Sequence, residues 1–180
     1  MRGTKEPVVL VDIDGTLTLR GERDPYDWDR VGEDAPNAAV VTLVRMMAGC
    51  GTRFPCTELI RDHPDDLHRW MDLNSEPVLK RTCDLAEVGG QRIILMSGRD
   101  ERCRRQTEAY LGLHDIPSDG LFMRTAKDNR KDSVVKHELY HRWIEPVYDV
   151  QLVVDDRQQV VDMWRSELGL PCLQVAEGNF

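Results

Sequence analysis

The stretch Val8-Val9-Leu10-Val11-Asp12-Ile13-Asp14-Gly15-Thr16-Leu17-Thr18 decides the fold of this chain. Four apolar residues, three of them β-branched, are typical of a strand buried on both faces. Two aspartates follow at its C-terminal end, the edge at which ligands bind in open α/β sheets. Because Asp12 and Asp14 are two residues apart, a continuing strand would point both carboxylates the same way, and we expect a cation between them.

Short apolar segments alternate with amphipathic segments along the rest of the chain. We predict strands over 92–96, 120–124, 151–154 and 171–175, and helices over 36–47, 101–111, 132–143 and 158–168. Each crossover is long enough for a right-handed return to a parallel neighbour. The pattern therefore predicts an α/β protein with a doubly wound parallel sheet.

Composition restricts the class of protein. The 180 residues suffice for one substantial core, and 31% of them are charged. No apolar run approaches the length of a membrane span and no signal-peptide segment opens the chain, so we expect a cytoplasmic protein, or one of the host cell interior if a phage encodes it. The five cysteines include no Cys-x-x-Cys pair, which argues against a disulfide framework and a zinc site. The net charge of −8 disfavours wrapping along a nucleic-acid backbone but permits gripping one phosphate at a chain end.

Polar residues stand at the ends of three predicted strands. Asp12 and Asp14 end the first, Ser97 ends the second, and the pair Asp155-Asp156 ends the strand over 151–154. A hydroxyl and the amides after it can bind anionic oxygens, and carboxylates are the ligands that Mg²⁺ prefers. Together these residues can form a magnesium-dependent phosphate-transfer site.

The first of these strings resembles motif I of the haloacid dehalogenase superfamily, a hydrophobic strand followed by Asp-x-Asp-Gly-Thr. Longer strings resemble the phosphatase domains of phage polynucleotide kinase/phosphatases, which remove 3′-phosphates from nucleic-acid ends. They comprise Gly21-x-Arg23-x-Pro25-Tyr26-Asp27, Ser97-Gly98-Arg99, Arg130-Lys131-Asp132-x-Val134-Val135-Lys136, Asp155-Asp156-Arg157-x-Gln159-Val160-Val161-x-Met163-Trp164 and Cys172-x-Gln174-Val175-Ala176-x-Gly178.

This resemblance implies a mechanism and its principal residues. Asp12 would be the nucleophile that forms an aspartyl-phosphate, and Asp14 the general acid and base. Mg²⁺ is the implied cofactor, held by Asp12, by Asp14 through its backbone carbonyl, and by Asp155 with Asp156. Lys136 would neutralise the nucleophile and the phosphate.

The same resemblance assigns the residues around the phosphate. Ser97 and Gly98 would bind the transferred group, while Arg23 and Arg99 would contact phosphate on the substrate side. The resemblance gives supporting roles to Asp34, to Asp132, which would orient Lys136, and to Arg157, which would order the loop after Asp155-Asp156.

The chain departs from these relatives in two places. No Gly-x-x-x-x-Gly-Lys-Ser/Thr loop occurs, so we expect no 5′-kinase activity from these residues. Residues 35–75 read as an insertion, with a predicted helix over 57–71, followed by another helix over 76–88. We therefore predict a phosphatase core of residues 1–34 and 76–180 with a small helical cap over 35–75.

The predicted function is removal of 3′-phosphates from DNA or RNA ends, and of phosphate from nucleoside 3′-phosphates, in end healing. Two alternatives remain open: a nucleotidase acting on nucleoside 5′-monophosphates, favoured by the acidity and the cap, and a non-catalytic module that binds phosphate ends. The expected partners are 3′-phosphorylated ends or nucleotides and no membrane, while a separate kinase or ligase and the oligomeric state stay open.

Overall fold

A computed structural model of the protein describes residues 5–50 and 90–178. Within these ranges seven strands, numbered in chain order, form two sheets. The main sheet is parallel and consists of β1 (Glu6–Val11), β4 (Arg92–Asp100), β5 (Gly120–Arg124), β6 (Tyr148–Arg157) and β7 (Cys172–Gly178). The short strands β2 (Thr18–Leu19) and β3 (Ala35–Pro36) pair antiparallel.

The order of the main sheet is β5-β4-β1-β6-β7, so β1 is its central strand. The chain runs from β1 outward through β4 and β5, and then returns to the other side of β1 with β6 and β7. The strand order thus reverses between β1 and β6, and this is where open α/β sheets form a crevice at the carboxyl ends of their strands. Asp12, directly after β1, meets Asp155 and Asp156 of β6 at that point.

Helices cover both faces of the sheet, as the sequence predicts. On one face α1 (Ala38–Met47) and α2 (Arg104–Leu113) pack on Val9 and Val11. On the other face α3 (Asp132–Leu139) and α4 (Gln158–Asp162), with the turns that follow them, pack on Val8 and Leu10. The alternation along β1 confirms the strand buried on both faces and the doubly wound α/β class.

Helices α3 and α4 both continue into π-helical turns, Tyr140–Ile144 and Met163–Glu167. These turns account for the two predicted helices that extend to residues 143 and 168. Two 3₁₀ turns, Trp28–Glu33 and Glu101–Cys103, precede β3 and α2. None of the described helices is both long enough and apolar enough to cross a membrane.

The predicted boundary of the cap at residue 35 stays a prediction, but the helix that follows it packs on the main sheet. Val40, Val41 and Val44 of α1 are buried in the same cluster as Val9 and Val11, so this helix is part of the core. The apolar residues of α1 therefore pack against the face of the main sheet and not inside a separate cap. The rest of the predicted insertion, residues 51–75, lies outside the described residues. The predicted helices over 57–71 and 76–88 lie outside them as well, so the helical cap stays a prediction.

Candidate active site

Three buried aspartates converge where β1 and β6 end. The carboxylate oxygens of Asp12, Asp155 and Asp156 lie within 4.8 Å of one another, and all three side chains are buried. Asp12 is fixed by its backbone amide, which donates to the carbonyl of Val154 at 2.9 Å. Asp155 is fixed by the amides of Asp156 and Arg157, which donate to its Oδ1. This acidic cluster confirms that the two strand ends meet.

Lys136, on α3, lies inside the acidic cluster. Its ammonium donates to Asp12 at 2.6 Å and to Asp155 at 2.9 Å, and Asp132 is 3.4 Å away, one helical turn back. The lysine is 1% exposed, and among the described residues these carboxylates are the groups that neutralise its charge. The sequence predicted a lysine beside the nucleophile and a neighbouring Asp132, and the structure brings both to that position.

Burial and mutual repulsion determine the protonation of the cluster. Burial raises the pKa of Asp12 well above its usual value; Lys136 opposes this shift, while Asp155 and Asp156 add to it. Burial would lower the pKa of Lys136, but Asp12, Asp132 and Asp155 outweigh it and raise that pKa well above normal. The lysine therefore stays charged, and one ammonium is too little for three buried carboxylates.

The loop after β1 closes over the acidic cluster. Gly15 has φ +88° and donates its amide to the carbonyl of Thr18 at 2.8 Å. A Cβ at Gly15 would lie 2.2 Å from Oδ2 of Asp156, so only glycine fits there. The buried hydroxyl of Thr16 donates to Oδ1 of Asp156 at 3.2 Å. The Gly-Thr of the motif thus positions the carboxylate of Asp156 on the neighbouring strand.

Asp14 does not face the acidic cluster, so the expectation that it points with Asp12 toward one cation is wrong. β1 ends at Val11, and the amides of Leu17 and Thr18 both donate to the carbonyl of Ile13, which turns the chain. The carboxylate of Asp14 instead accepts three hydrogen bonds from Arg99, at 2.8 to 3.0 Å. Whether its backbone carbonyl binds metal stays a prediction.

Arg99 and Arg23 are held by carboxylates and do not face an open substrate site. The Arg99 side chain is 0% exposed and also donates to Asp34 at 2.9 Å and to the hydroxyls of Thr18 and Thr107. Arg23 donates two bonds to Asp34, at 3.0 and 2.8 Å. Asp34 therefore bridges two buried guanidinium groups. The predicted phosphate contacts of both arginines would require these ion pairs to open.

An irregularity in β4 explains how Arg99 becomes buried. Ser97 pairs with Met123 and Asp100 with Arg124, so Gly98 and Arg99 are extra residues opposite β5. Bulges of this kind redirect a side chain, and here the bulge turns Arg99 into the interior. The hydroxyl of Ser97, fully buried, accepts the amide of Arg99 at 3.1 Å.

Gly98 lies directly against Asp132. A Cβ at this glycine would come within 2.3 Å of Oδ1 of Asp132, so the strand and the start of α3 could not approach with any other residue. Arg124 joins the same two positions, since it donates to the carbonyl of Gly98 at 2.7 Å and to Asp132 at 3.2 Å. Burial would raise the pKa of Asp132, but Lys136, Arg157 and Arg124 outweigh it and lower the pKa. The ordering of the loop by Arg157 stays a prediction.

Comparison with known proteins identifies the family. The model of the polynucleotide kinase PNKP phosphatase domain matches residues 6–56 and 51–180. The chain belongs to this family. It is 31% identical over 167 residues to a protein of Autographa californica nuclear polyhedrosis virus called "Putative bifunctional polynucleotide kinase/RNA ligase".

Solved structures of PNKP relatives agree with this assignment. A chain in a Pnkp1/Rnl/Hen1 complex superposes with a TM-score of 0.74 at 33% identity over 99% of this chain. A second structure, of the Pnkp1/Rnl/Hen1 RNA repair complex, gives the same values. The present chain spans 48% and 45% of those chains, and 19% of the viral protein.

The donor set of this PNKP-type domain fits a magnesium ion. Asp12, Asp155 and Asp156 offer only oxygen ligands, which a small hard cation prefers over nitrogen or sulfur. Their three negative charges face one ammonium, so a divalent cation would complete the charge balance. These three carboxylates could therefore hold a divalent cation such as Mg²⁺, and the carboxylate of Asp14 is not among them.

Three residues that position the site were not singled out from the sequence. Thr16 and Arg124 act as described above, and Trp164 donates its indole N–H to Oδ2 of Asp155 at 3.2 Å from within a π-helical turn. The string Met163-Trp164 was a visible feature of the resemblance and could have pointed to Trp164. Arg124 gave a weaker signal, namely its place at the end of a strand.

Proposed function

We propose that this chain is a magnesium-dependent phosphatase that removes 3′-phosphates from DNA or RNA ends through an aspartyl-phosphate on Asp12. Membership of the PNKP phosphatase family supports a nucleic-acid end as the substrate. The observation that carries the mechanism is the buried Lys136, which bridges Asp12 and Asp155 at 2.6 and 2.9 Å. It fixes one oxygen of Asp12 and leaves the other for attack.

In the first step Oδ2 of Asp12 attacks phosphorus while the bond from phosphorus to the 3′-oxygen breaks. Asp14, one-third exposed, transfers a proton to the leaving oxygen. Arg99 holds Asp14 in place because it donates to both carboxylate oxygens. The products are an aspartyl-phosphate and a free 3′-hydroxyl, so one difficult displacement becomes two easier ones.

In the second step Asp14, now a carboxylate, takes a proton from water while the water oxygen attacks phosphorus. The bond from phosphorus to Asp12 breaks, which regenerates the carboxylate and releases inorganic phosphate. The Lys136 ammonium stays beside Asp12 throughout and balances its charge. Mg²⁺ held by Asp12, Asp155 and Asp156 would supply the remaining positive charge against the phosphate oxygens.

We also propose that a kinase and a ligase act on the same ends. The names of the relatives support this, since one is called a polynucleotide kinase/RNA ligase and two belong to complexes titled with Pnkp1, Rnl and Hen1. Removal of a 3′-phosphate yields the hydroxyl that a ligase requires. A ligation assay with and without this chain, on 3′-phosphorylated ends, tests the proposal.

The deciding experiment measures phosphate release from two oligonucleotides of one sequence, one with a 3′-phosphate and one with a 5′-phosphate, with and without Mg²⁺. We expect magnesium-dependent release from the 3′ end only. Asp12→Asn should abolish turnover, whereas Asp162→Asn, an exposed carboxylate on α4, should not. Release from nucleoside 5′-monophosphates alone would favour the nucleotidase, and no release from any substrate would favour the binding module.

A further inference from the structure

A cleft outside the acidic cluster opens beside the phosphatase site. Its volume is about 440 Å³, and its lining residues are Tyr26, Asp27, Trp28, Asp29, Arg102 and Asn129. They come from the segments that follow β2, β4 and β5. The three lining segments reach the site within a few residues, because Tyr26, Arg102 and Asn129 are each three positions from a site residue: Arg23, Arg99 and Asp132. Three residues span at most about 10 Å.

Buried hydrogen bonds hold the cleft in a fixed position relative to Asp14. The guanidinium of Arg23 donates to the carbonyls of Asp24 and Asp27, which fixes the segment that carries Tyr26 and Trp28. The same guanidinium binds Asp34, and Asp34 binds Arg99, which holds Asp14. A ligand bound in the cleft would therefore lie in a fixed position relative to Asp14, which would protonate the leaving oxygen.

The aromatic side chains form a corner suited to a flat ring. Tyr26 is 76% exposed although it is large and apolar. Trp28 is half-buried, and its inner side packs against Val31, Cys103 and Met123. The two ring centroids are 6.1 Å apart and the ring planes meet at 85°. A flat ring stacked on the face of one of these side chains would contact the other side chain edge-on. Aromatic side chains favour such edge-to-face contacts, and nucleobases stack on aromatic faces.

The charged residues that line the cleft favour the binding of a nucleobase over the binding of a second phosphate. Two of its lining residues, Asp27 and Asp29, are acidic, and Arg102 already donates to Asp100 at 3.0 Å through two nitrogens. The side-chain amide of Asn129 has no hydrogen-bond partner among residues 5–50 and 90–178. Carboxylates accept from the amino groups of bases, and an amide can both donate and accept at a base edge.

We propose that this cleft binds the base of the terminal nucleotide whose 3′-phosphate lies at Asp12. The inference rests on the proposed function and extends it. In this proposal the enzyme recognises the terminal nucleoside and not the nucleotides upstream of it. Affinity should then depend on the terminal base and change little with added upstream phosphates.

The test compares two 3′-phosphorylated oligonucleotides that differ only in their last residue, cytidine in one and an abasic tetrahydrofuran in the other. Loss of a stacking partner weakens base binding roughly tenfold. Tyr26→Ala should therefore raise KM about tenfold for the cytidine substrate, leave KM for the abasic substrate unchanged, and leave kcat unchanged for both. The control is Trp143→Ala, an exposed aromatic residue that follows α3. An equal change of KM for both substrates, or no change for either, would overturn the proposal.

A binding measurement separates this inference from the proposed function. Cytidine 3′-monophosphate is titrated into the full chain with tryptophan fluorescence as the readout, which requires no turnover. We expect saturable quenching in the wild type, a clearly smaller amplitude in Trp28→Phe, where Trp164 beside Asp155 can still respond, and weaker binding in Tyr26→Ala. An amplitude in Trp28→Phe equal to that of the wild type, or no quenching in the wild type, refutes the cleft assignment even if phosphate release is normal. Saturable quenching with a clearly smaller amplitude in Trp28→Phe supports the cleft even if no substrate is hydrolysed.

Discussion

The carboxylate of Asp34 bridges two arginines, and we expect the loss of this bridge to lower the free energy of unfolding of the domain. The side chains of Asp34, Arg23 and Arg99 are 1%, 4% and 0% exposed. Asp34→Asn keeps the shape of the side chain but leaves two buried cations short of one negative charge. Removal of one partner of a buried ion pair costs about 3–5 kcal/mol. Arg99 retains Asp14 and Arg23 retains two backbone carbonyls, so we expect about 3 kcal/mol, the lower end of that range.

Chemical and thermal unfolding measure this loss directly. In a chain of this size about 3 kcal/mol lowers Tm by roughly 10 °C. The matched control is Glu33→Gln, next in the chain, whose carboxylate pairs with Arg30 at the surface and should contribute little. Adding Arg23→Gln to Asp34→Asn removes one unpaired cation and should recover part of the loss. A Tm for Asp34→Asn equal to that of Glu33→Gln would show that the buried network does not stabilise the fold.

Three further outcomes follow from the geometry. Lys136→Met should abolish phosphate release and make folding dependent on Mg²⁺, measured by Tm with and without the ion, because the buried carboxylates then lose their only ammonium among the described residues. Gly15→Ala should abolish activity, since its Cβ would lie 2.2 Å from Asp156, whereas Gly21→Ala, with open space around it, should keep full kcat/KM. The Arg102 guanidinium lowers the pKa of Asp100 from 3.8 to about 2. The stability that this pair adds is therefore complete above about pH 5 and lost progressively as the pH falls through 3.8 toward 2, so Asp100→Asn should be less stable than wild type at pH 6, and this difference should shrink steadily between pH 5 and pH 2 in urea titrations.

The sheet and the position of the site could be predicted because both depend on local patterns. Apolar runs of four or five residues fixed the strands, and β5 begins and ends at the predicted residues, Gly120 and Arg124. The carboxyl ends of parallel strands must share one edge, so Asp12 and Asp155 had to meet there. Lys136 was assigned from resemblance alone, because its spacing from Asp12, 124 positions, carries no local signal.

The parts that the sequence did not reveal depend on contacts between distant residues. Arg99 lies 85 positions from Asp14 and 65 from Asp34, and a planar guanidinium suits a phosphate as well as a carboxylate. Sequence reasoning therefore could not distinguish a substrate contact from a buried ion pair. The different directions of Asp12 and Asp14 likewise follow from the end of β1 at Val11, a boundary that an apolar pattern locates only within a few residues.

The two groups of carboxylates differ in charge balance, and this difference fits the tasks proposed for them. Once Asp14 has given up its proton, Asp14 and Asp34 face Arg99 and Arg23, so two negative charges meet two positive ones and this group needs no further ion. Asp12, Asp155 and Asp156 face only Lys136 among the described residues, which leaves two negative charges uncompensated. A dianionic phosphate would be repelled from that cluster until a divalent cation had entered it. We therefore expect the cation to bind first and the phosphate second, while Arg99 holds Asp14 in place beside the cluster for the proposed proton transfer.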